Sequence, residues 1–182
     1  RGPMPVFIID QADVLLLGAD VTLKQYWSDK IEGTMGLSYL WSRNVENKEV
    51  LIKQPPLNLN YSLGFDLPTK RMFTASQFEI SPSYTFRQFS APRTVTPQSL
   101  IEGTETVSLQ SEIFDFKDAP EGYFLIDLGW TCNIGHFQGS VEIKNALNTK
   151  YRNYLNEMRY FADEPGRNII FTLNYSFHSK LN

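Results

Sequence analysis

The stretch LNLNYSLGFDL (residues 57–67) decides the fold class. Its odd-numbered positions are all apolar or aromatic, and its even-numbered positions are Asn58, Asn60, Ser62, Gly64 and Asp66. Because side chains of a β-strand alternate between its two faces, this period of two predicts a strand with one apolar and one polar face.

The same alternation recurs along the chain. It is present in six further segments, residues 15–24, 30–42, 78–87, 124–134, 137–144 and 167–177, and more weakly in residues 4–11. No segment shows a convincing helical period. The sequence therefore predicts an all-β protein of about eight antiparallel strands.

Composition narrows the function classes. The chain of 182 residues is long enough for one domain, and its formal net charge of -3 indicates no nucleic-acid footprint. The single cysteine, Cys132, excludes an internal disulfide. No apolar run reaches the roughly 18 to 20 residues of a transmembrane helix, which leaves membrane-spanning strands open because such strands are only half apolar.

The connections between the predicted strands alternate between short and long. Residues 28–30, 68–71 and 135–136 form short turns, whereas residues 44–56, 88–122 and 146–166 form long loops. Bacterial outer-membrane barrels have short periplasmic turns and long extracellular loops. The pattern therefore predicts a transmembrane β-barrel in the outer membrane of a bacterium, with the C-terminus in the periplasm.

Strand length and aromatic placement agree with this prediction. Most runs have about eleven residues, as a tilted membrane-crossing strand requires. Aromatic residues cluster near the strand ends, as in the girdles at membrane interfaces. They include Tyr26, Trp27, Tyr39, Trp41, Phe86, Phe89, Tyr123, Phe124, Tyr175 and Phe177.

Three architectures fit the alternation. The polar faces carry mainly short side chains, which would leave gaps inside a closed eight-stranded barrel but suit the wall of a wide one. We therefore favour a segment of a larger barrel. The alternatives are a self-contained eight-stranded outer-membrane barrel that serves as an anchor or adhesion module, and a soluble β-barrel that binds an apolar ligand.

Motifs in the C-terminal third resemble the last three strands of TonB-dependent outer-membrane receptors. They are Pro120-Glu121-Gly122-Tyr123, the run VEIKNALNTKY (residues 141–151) and Gly166-Arg167-Asn168 before a terminal strand that ends in Phe177. Upstream, DQADVLLLGADVTL and LIKQPPLNLNYSL are similar to earlier strands of that family. The resemblance implies that residues 1–182 are the C-terminal portion of a 22-stranded barrel, without the plug domain.

The resemblance also implies a function and a set of partners. The family imports scarce nutrients, most often an iron chelate such as a siderophore or haem, and TonB acts through the plug. The expected partners are the remainder of the barrel and the plug, TonB, lipopolysaccharide and other outer-membrane lipid, and the barrel-assembly machinery, for which Phe177 is the expected signal. No nucleic acid and no cofactor are expected.

The loop NTKYRNYLNEMRYFADEPGR (residues 148–167) holds the candidate ligand-binding residues Arg152, Tyr154, Arg159 and Tyr160. Their cations and aromatic rings could hold an anionic, ring-bearing chelate. Arg159 and Tyr160 are favoured because they lie farther from the strand ends. The alternative is that the aromatic residues belong to the rim girdle and the arginines meet lipopolysaccharide or neighbouring loops.

Catalysis and metal binding are not expected. His136 lies in a predicted periplasmic turn and His178 follows the last strand, so neither reaches the extracellular loops, where a catalytic base or a haem or zinc ligand would be needed. Asp115, Asp118 and Glu121 fit no 12-residue calcium loop and are predicted to be a solvated surface. We therefore expect a protein that is not an enzyme and has no metal site in this chain.

Overall fold

A seven-stranded antiparallel sheet is the main element of the fold. The structure is a computed structural model that describes residues 13–46, 48–51, 53–68, 74–107 and 113–177. The elements are β1 (Val14–Ser28), β2 (Ile31–Asn44), β3 (Asn58–Asp66), β4 (Ala75–Thr85), β5 (Arg93–Thr94), α1 (Pro97–Ile101), β6 (Phe114–Asp115), β7 (Tyr123–Ile134), β8 (Phe137–Lys144), a 3-10 turn (Glu157–Tyr160) and β9 (Asn168–Tyr175). The order in the sheet is β1-β2-β3-β4-β7-β8-β9, and β5 and β6 form a separate parallel pair. The all-β prediction is confirmed.

The seven clearly alternating segments all become strands of this sheet. β1 extends four residues beyond its predicted end at Lys24, and β9 ends at Tyr175, two residues before Phe177. The eighth predicted strand, residues 4–11, lies outside the described residues.

The register of the sheet joins the apolar positions into one continuous face. Residues directly opposite each other on paired strands lie on the same face. One transverse row from β2 to β9 reads Ile31, Phe65, Phe78, Trp130, Val141 and Phe171. The alternation predicted for single strands is therefore propagated from β2 to β9 without a slip in register, and the β1–β2 pair is irregular only between Tyr26 and Ser28.

This apolar face is exposed. Leu17 is 57% and Phe171 is 76% exposed, and neither is covered by a second layer of the chain. Among the described residues the buried hydrophobic side chains are only Val95, Ala119, Cys132 and Tyr154, and of these only Cys132 belongs to the sheet. The sheet thus has no hydrophobic core of the kind that stabilises a soluble sandwich.

The sheet is open, so the described strands do not by themselves form the transmembrane barrel of the fold-class prediction. The favoured interpretation, a segment of a larger barrel, expects such an open sheet. β1 and β9 are at opposite edges, and each pairs with one neighbour among the described strands. An open edge leaves a row of backbone N–H and C=O groups without ladder partners. Both edges therefore offer backbone groups to which a further strand could pair.

The three predicted long loops and two of the three predicted short turns are present. The third predicted turn, residues 68–71, lies mostly outside the described residues. The turn after β1 consists of Asp29 and Lys30, and the turn after β7 consists of Gly135 and His136. Gly135 has a φ of 59°, a conformation that glycine adopts without steric cost in tight hairpins. We name the long connections loop 1 (residues 45–57), loop 2 (86–122) and loop 3 (145–167). Since the strands are antiparallel, all three loops meet at one end of the sheet.

Candidate functional site

The Gln54 side chain of loop 1 forms the hydrogen bonds to β2 that a neighbouring strand would form. The Gln54 carboxamide is buried, and its Oε1 accepts the Ser42 backbone N–H at 3.2 Å while its Nε2 donates to the Ser42 carbonyl at 3.3 Å. Ser42 lies beyond the point where the ladder between β2 and β3 ends, at the Ser38–Asn58 pair. Gln54 therefore provides hydrogen-bond partners for backbone groups at the rim that no neighbouring strand pairs.

Loop 2 has a small folded centre. The N–H of Val95, which is fully buried, donates to the Asp115 carbonyl at 2.8 Å and extends the β5–β6 pair. The side chain of Thr96 accepts the Ser99 N–H and caps α1, whose first residue is Pro97. This arrangement fixes the position of Asp115 at the side of the loop that faces loop 3.

Loop 3 is closed at its base by two asparagines with positive φ. Asn145 has a φ of 50°, and its side chain bonds both the N–H and the carbonyl of Thr149. Asn148 has a φ of 55°, and its Oδ1 accepts the Arg167 N–H at 2.9 Å. Asparagine is enriched in this conformation because its short polar side chain bonds locally. The asparagines of the run VEIKNALNTKY thus have a structural role.

A buried cluster joins loops 2 and 3. We call Asp115, Tyr154, Arg159 and Tyr160 the Arg159 cluster. Arg159, which is 5% exposed, donates to Asp115 Oδ2, and Tyr160 Oη donates to Asp115 Oδ1 at 2.6 Å. The guanidinium carbon lies 4.9 Å from the centre of the Tyr154 ring and 4.5 Å from that of Tyr160. A buried charge is tolerated when it is paired and hydrogen-bonded in this way.

Two further cations hold the backbone of the cluster. Arg152 Nη1 donates to the Arg159 carbonyl at 2.7 Å, and its Nε donates to Asp163 at the same distance. Lys117 Nζ donates to the Tyr160 carbonyl at 2.7 Å. Loop 3 is therefore held through both its side chains and its main chain.

The environment of the Arg159 cluster raises the pKa of its two tyrosine hydroxyls. Burial, the hydrogen bond to Asp115 and the charge of that carboxylate raise the pKa of Tyr160 to about 12. Burial, followed by the charge of Asp115, also raises the pKa of Tyr154, and Arg159 opposes this effect. Both phenols are therefore neutral hydrogen-bonding groups at physiological pH.

The four residues predicted to bind a ligand come together in this region. Tyr154, 7% exposed, and Arg159 are buried among contacts within the chain, whereas Arg152 and Tyr160 remain partly exposed. Arg152 lines a rim pocket of about 270 Å³ between loops 2 and 3, together with Lys150. A role of the four residues in ligand binding stays a prediction, and the sequence did not indicate that Arg159 would be paired with Asp115.

Of the three acidic residues of loop 2 predicted to form a solvated surface, Asp118 and Glu121 are exposed and only Asp115 differs. Asp115 is buried because it partners Arg159, whereas Glu121 forms an exposed ion pair with Arg87 at 2.8 Å. Within the described ranges there is no group of three or more His, Cys, Asp or Glu residues that could hold a metal ion.

The polar face carries a row of charges that the sequence pattern did not reveal. Pairing places Glu32, Glu79 and Glu142 in one transverse row, with Gly64 and Gly129 on the strands between them. Lys144, next to this row, pairs with Asp127 at 3.2 Å and with Glu142 at 3.4 Å. The row depends on registers between strands, so periodicity within single strands could not show it.

The remaining predicted positions lie at the short-turn end. His136 is in the turn between β7 and β8, and its ring centroid is 6.1 Å from that of Tyr175. Phe177 follows β9, is 86% exposed, and its ring centroid lies 4.5 Å from that of Tyr175. His178 lies outside the described residues. His136 is thus at the end of the sheet opposite the three loops.

The part of the chain that the structure describes contains no helix long and apolar enough to cross a membrane. No known protein-family profile and no curated protein sequence matches the chain.

The fold is similar to that of several solved structures, among them a transporter. The chain matches the copper transporter OprC with a TM-score of 0.70 and 16% sequence identity, over 91% of this chain and 23% of OprC. The chain thus spans about a quarter of that protein. At this identity the likeness shows a shared β-fold.

Proposed function

We propose that the chain forms part of the wall and outer rim of a β-barrel that imports a scarce nutrient across a bacterial outer membrane. The observation that carries this proposal is the continuous, exposed apolar face on long strands whose long loops all lie at one end. Soluble proteins rarely expose an apolar face of this extent. Lipid covers such a face in outer-membrane barrels.

The polar face then lines the lumen of a wide barrel. Its strands contribute short side chains and the glutamate row, which leave room for water or a plug. The open edges at β1 and β9 fit a chain whose partner strands and plug belong to the remainder of the barrel. This arrangement favours the segment of a 22-stranded barrel over the self-contained eight-stranded one.

The family resemblance of the C-terminal motifs extends the proposal to TonB-dependent import. On this proposal TonB acts through the plug, the C-terminus is periplasmic, and lipopolysaccharide surrounds the rim. Phe177 is the signal that the barrel-assembly machinery recognises. Phe177→Ala is therefore expected to lower the amount of protein inserted into the outer membrane. Equal surface levels of variant and parent protein would contradict that role.

We further propose that the cargo is an iron chelate, a siderophore or haem, and that the chain binds it without chemical conversion. One solved structure with the shared fold is named as a copper transporter, which supports transport in general. The rim offers cations and aromatic rings. On this proposal the partly exposed Arg152 and Tyr160 contact the chelate, and the buried Arg159 and Tyr154 hold the loops. Such groups suit an anionic, ring-bearing ligand.

Site-specific labelling tests the placement in the membrane. In the complete protein with Cys132→Ala, Ile101→Cys places a thiol on α1 of loop 2, and Asp29→Cys places one in the turn after β1; both positions are exposed. A membrane-impermeant maleimide should label the first variant in intact cells and the second only after the outer membrane is permeabilised. Equal labelling in intact cells, or recovery of the protein in the aqueous fraction without detergent, would refute the proposal.

Uptake assays test the cargo. Cells that lack the complete protein should lose growth on a ferric chelate as the only iron source, and their copper accumulation should be unchanged. Complementation with the parent gene should restore growth. Loss of copper accumulation with normal growth on the chelate would assign the cargo to copper instead.

A further inference from the structure

We infer that a pocket between the three loops binds one uncharged aromatic ring. The pocket is lined by Lys53 of loop 1, by Phe114 and Phe116 of loop 2, and by Leu155 and the Arg159 cluster. This inference rests on the proposed function in one respect, namely that the rim of long loops faces the ligand.

The size of the pocket limits the ligand to a single ring. Its volume is about 150 Å³. An apolar cavity of about 150 Å³ takes one benzene molecule. A fused two-ring system would not fit without a change in the walls.

The lining of the pocket is rich in aromatic rings. The rings of Phe114 and Phe116 meet edge to face with their centroids 5.4 Å apart. Tyr154 and Tyr160, which enclose the Arg159 guanidinium, also line the pocket. Aromatic rings favour offset-stacked or edge-to-face neighbours, so this lining favours a planar ring over a saturated one.

The charges of the pocket are balanced in two pairs. Asp115 pairs with Arg159 inside the pocket, and Lys53 pairs with Glu157 at its mouth. Because no net charge remains to compensate a buried ion, an uncharged ring is favoured over a carboxylate. The side chains of the outer pair are 58% and 70% exposed, so water screens this pair and it opens readily toward a polar substituent of the ligand.

Fluorine NMR of the complete purified protein in detergent, with 4-fluorophenol as the probe, tests the inference. The probe signal should broaden, with a Kd of about 1 mM, as expected for a ligand of so few atoms. Cyclohexanol should not compete, and 4-fluorobenzoate should bind at least tenfold more weakly. Leu155→Trp, which fills the pocket, should weaken binding at least tenfold.

A variant with an enlarged pocket should gain binding of a larger ring, and a folding defect could not produce such a gain. Phe116→Ala enlarges the pocket and should gain binding of 2-naphthol, which the parent protein should not bind. Broadening of 4-fluorophenol that persists unchanged in Leu155→Trp, or no broadening in the parent protein, would overturn the inference. If the NMR results contradict the inference while the labelling pattern in cells is as proposed, only the pocket assignment is wrong. If the labelling pattern fails and the NMR results hold, the transporter proposal fails alone.

Discussion

At the scale of single residues, the contact between Asp115 and Arg159 decides whether loops 2 and 3 stay together. Both side chains are nearly buried, and Asp115 also accepts the Tyr160 hydroxyl. Removing one partner of a buried ion pair leaves the other charge uncompensated, at a cost of about 3–5 kcal/mol.

Asp115→Asn is therefore expected to open the junction between loops 2 and 3 while the sheet stays folded. Hydrogen exchange should show faster exchange of the Val95 amide, which donates to the Asp115 carbonyl, and unchanged exchange in β7 and β8. Glu121→Gln is the matched control because its pair with Arg87 is exposed and is expected to contribute under about 1 kcal/mol. Equal effects of the two substitutions would contradict the structural role of the buried pair.

At the scale of elements, the sequence could predict strands but not the contacts between loops. Alternation identified all seven strands of the sheet. Each strand has one apolar and one polar face, and this pattern can be read from the residues of that strand alone. The Arg159 cluster joins residues 44 positions apart in the chain, and the spacing of charges within a loop contains no such information. The four candidate residues were found as a group because loop 3 is rich in cations and rings, but Arg159 and Tyr154 proved to be buried.

The Pro120-Glu121-Gly122-Tyr123 motif has a steric explanation at the start of β7. A Cβ on Gly122 would lie 2.9 Å from Tyr84 Oη, 3.0 Å from the Thr85 carbonyl oxygen and 3.2 Å from the Arg87 nitrogen. Two of these atoms belong to the backbone and cannot rotate away. The end of loop 2 thus approaches β4 more closely than any residue with a side chain would allow.

Gly122→Ala should therefore destabilise the protein by about 1–3 kcal/mol, the usual cost of overpacking. Gly129→Ala, within β7, is the control, since its Cβ would meet only Glu79 Cβ at 3.8 Å, an ordinary contact. Thermal unfolding followed by circular dichroism should show a lower midpoint for the first variant and an unchanged or slightly higher one for the second. The reverse order would mean that the close approach at Gly122 is absent in solution.

At the scale of the whole molecule, the two faces of the sheet differ in what they contact. On β9, Phe171 continues the apolar row through Val141, and Thr172 is opposite Ser140 on the polar face. The two residues are adjacent in sequence, near the middle of the same strand. If lipid covers one face and a watery lumen the other, the same substitution must have opposite consequences at these two positions.

Phe171→Arg should cost about 2–4 kcal/mol, the penalty for arginine on the lipid face near the bilayer midplane. Thr172→Arg should cost under about 1 kcal/mol because its side chain would enter the lumen, where the carboxylates of the glutamate row lie on the same face. The measurement is the free energy of unfolding of the complete protein in lipid vesicles, from a denaturant titration. If the polar face were the interior of a packed protein and the apolar face a water-exposed surface, Thr172→Arg would be the more damaging change. The order of the two values therefore decides which face of the sheet meets the membrane.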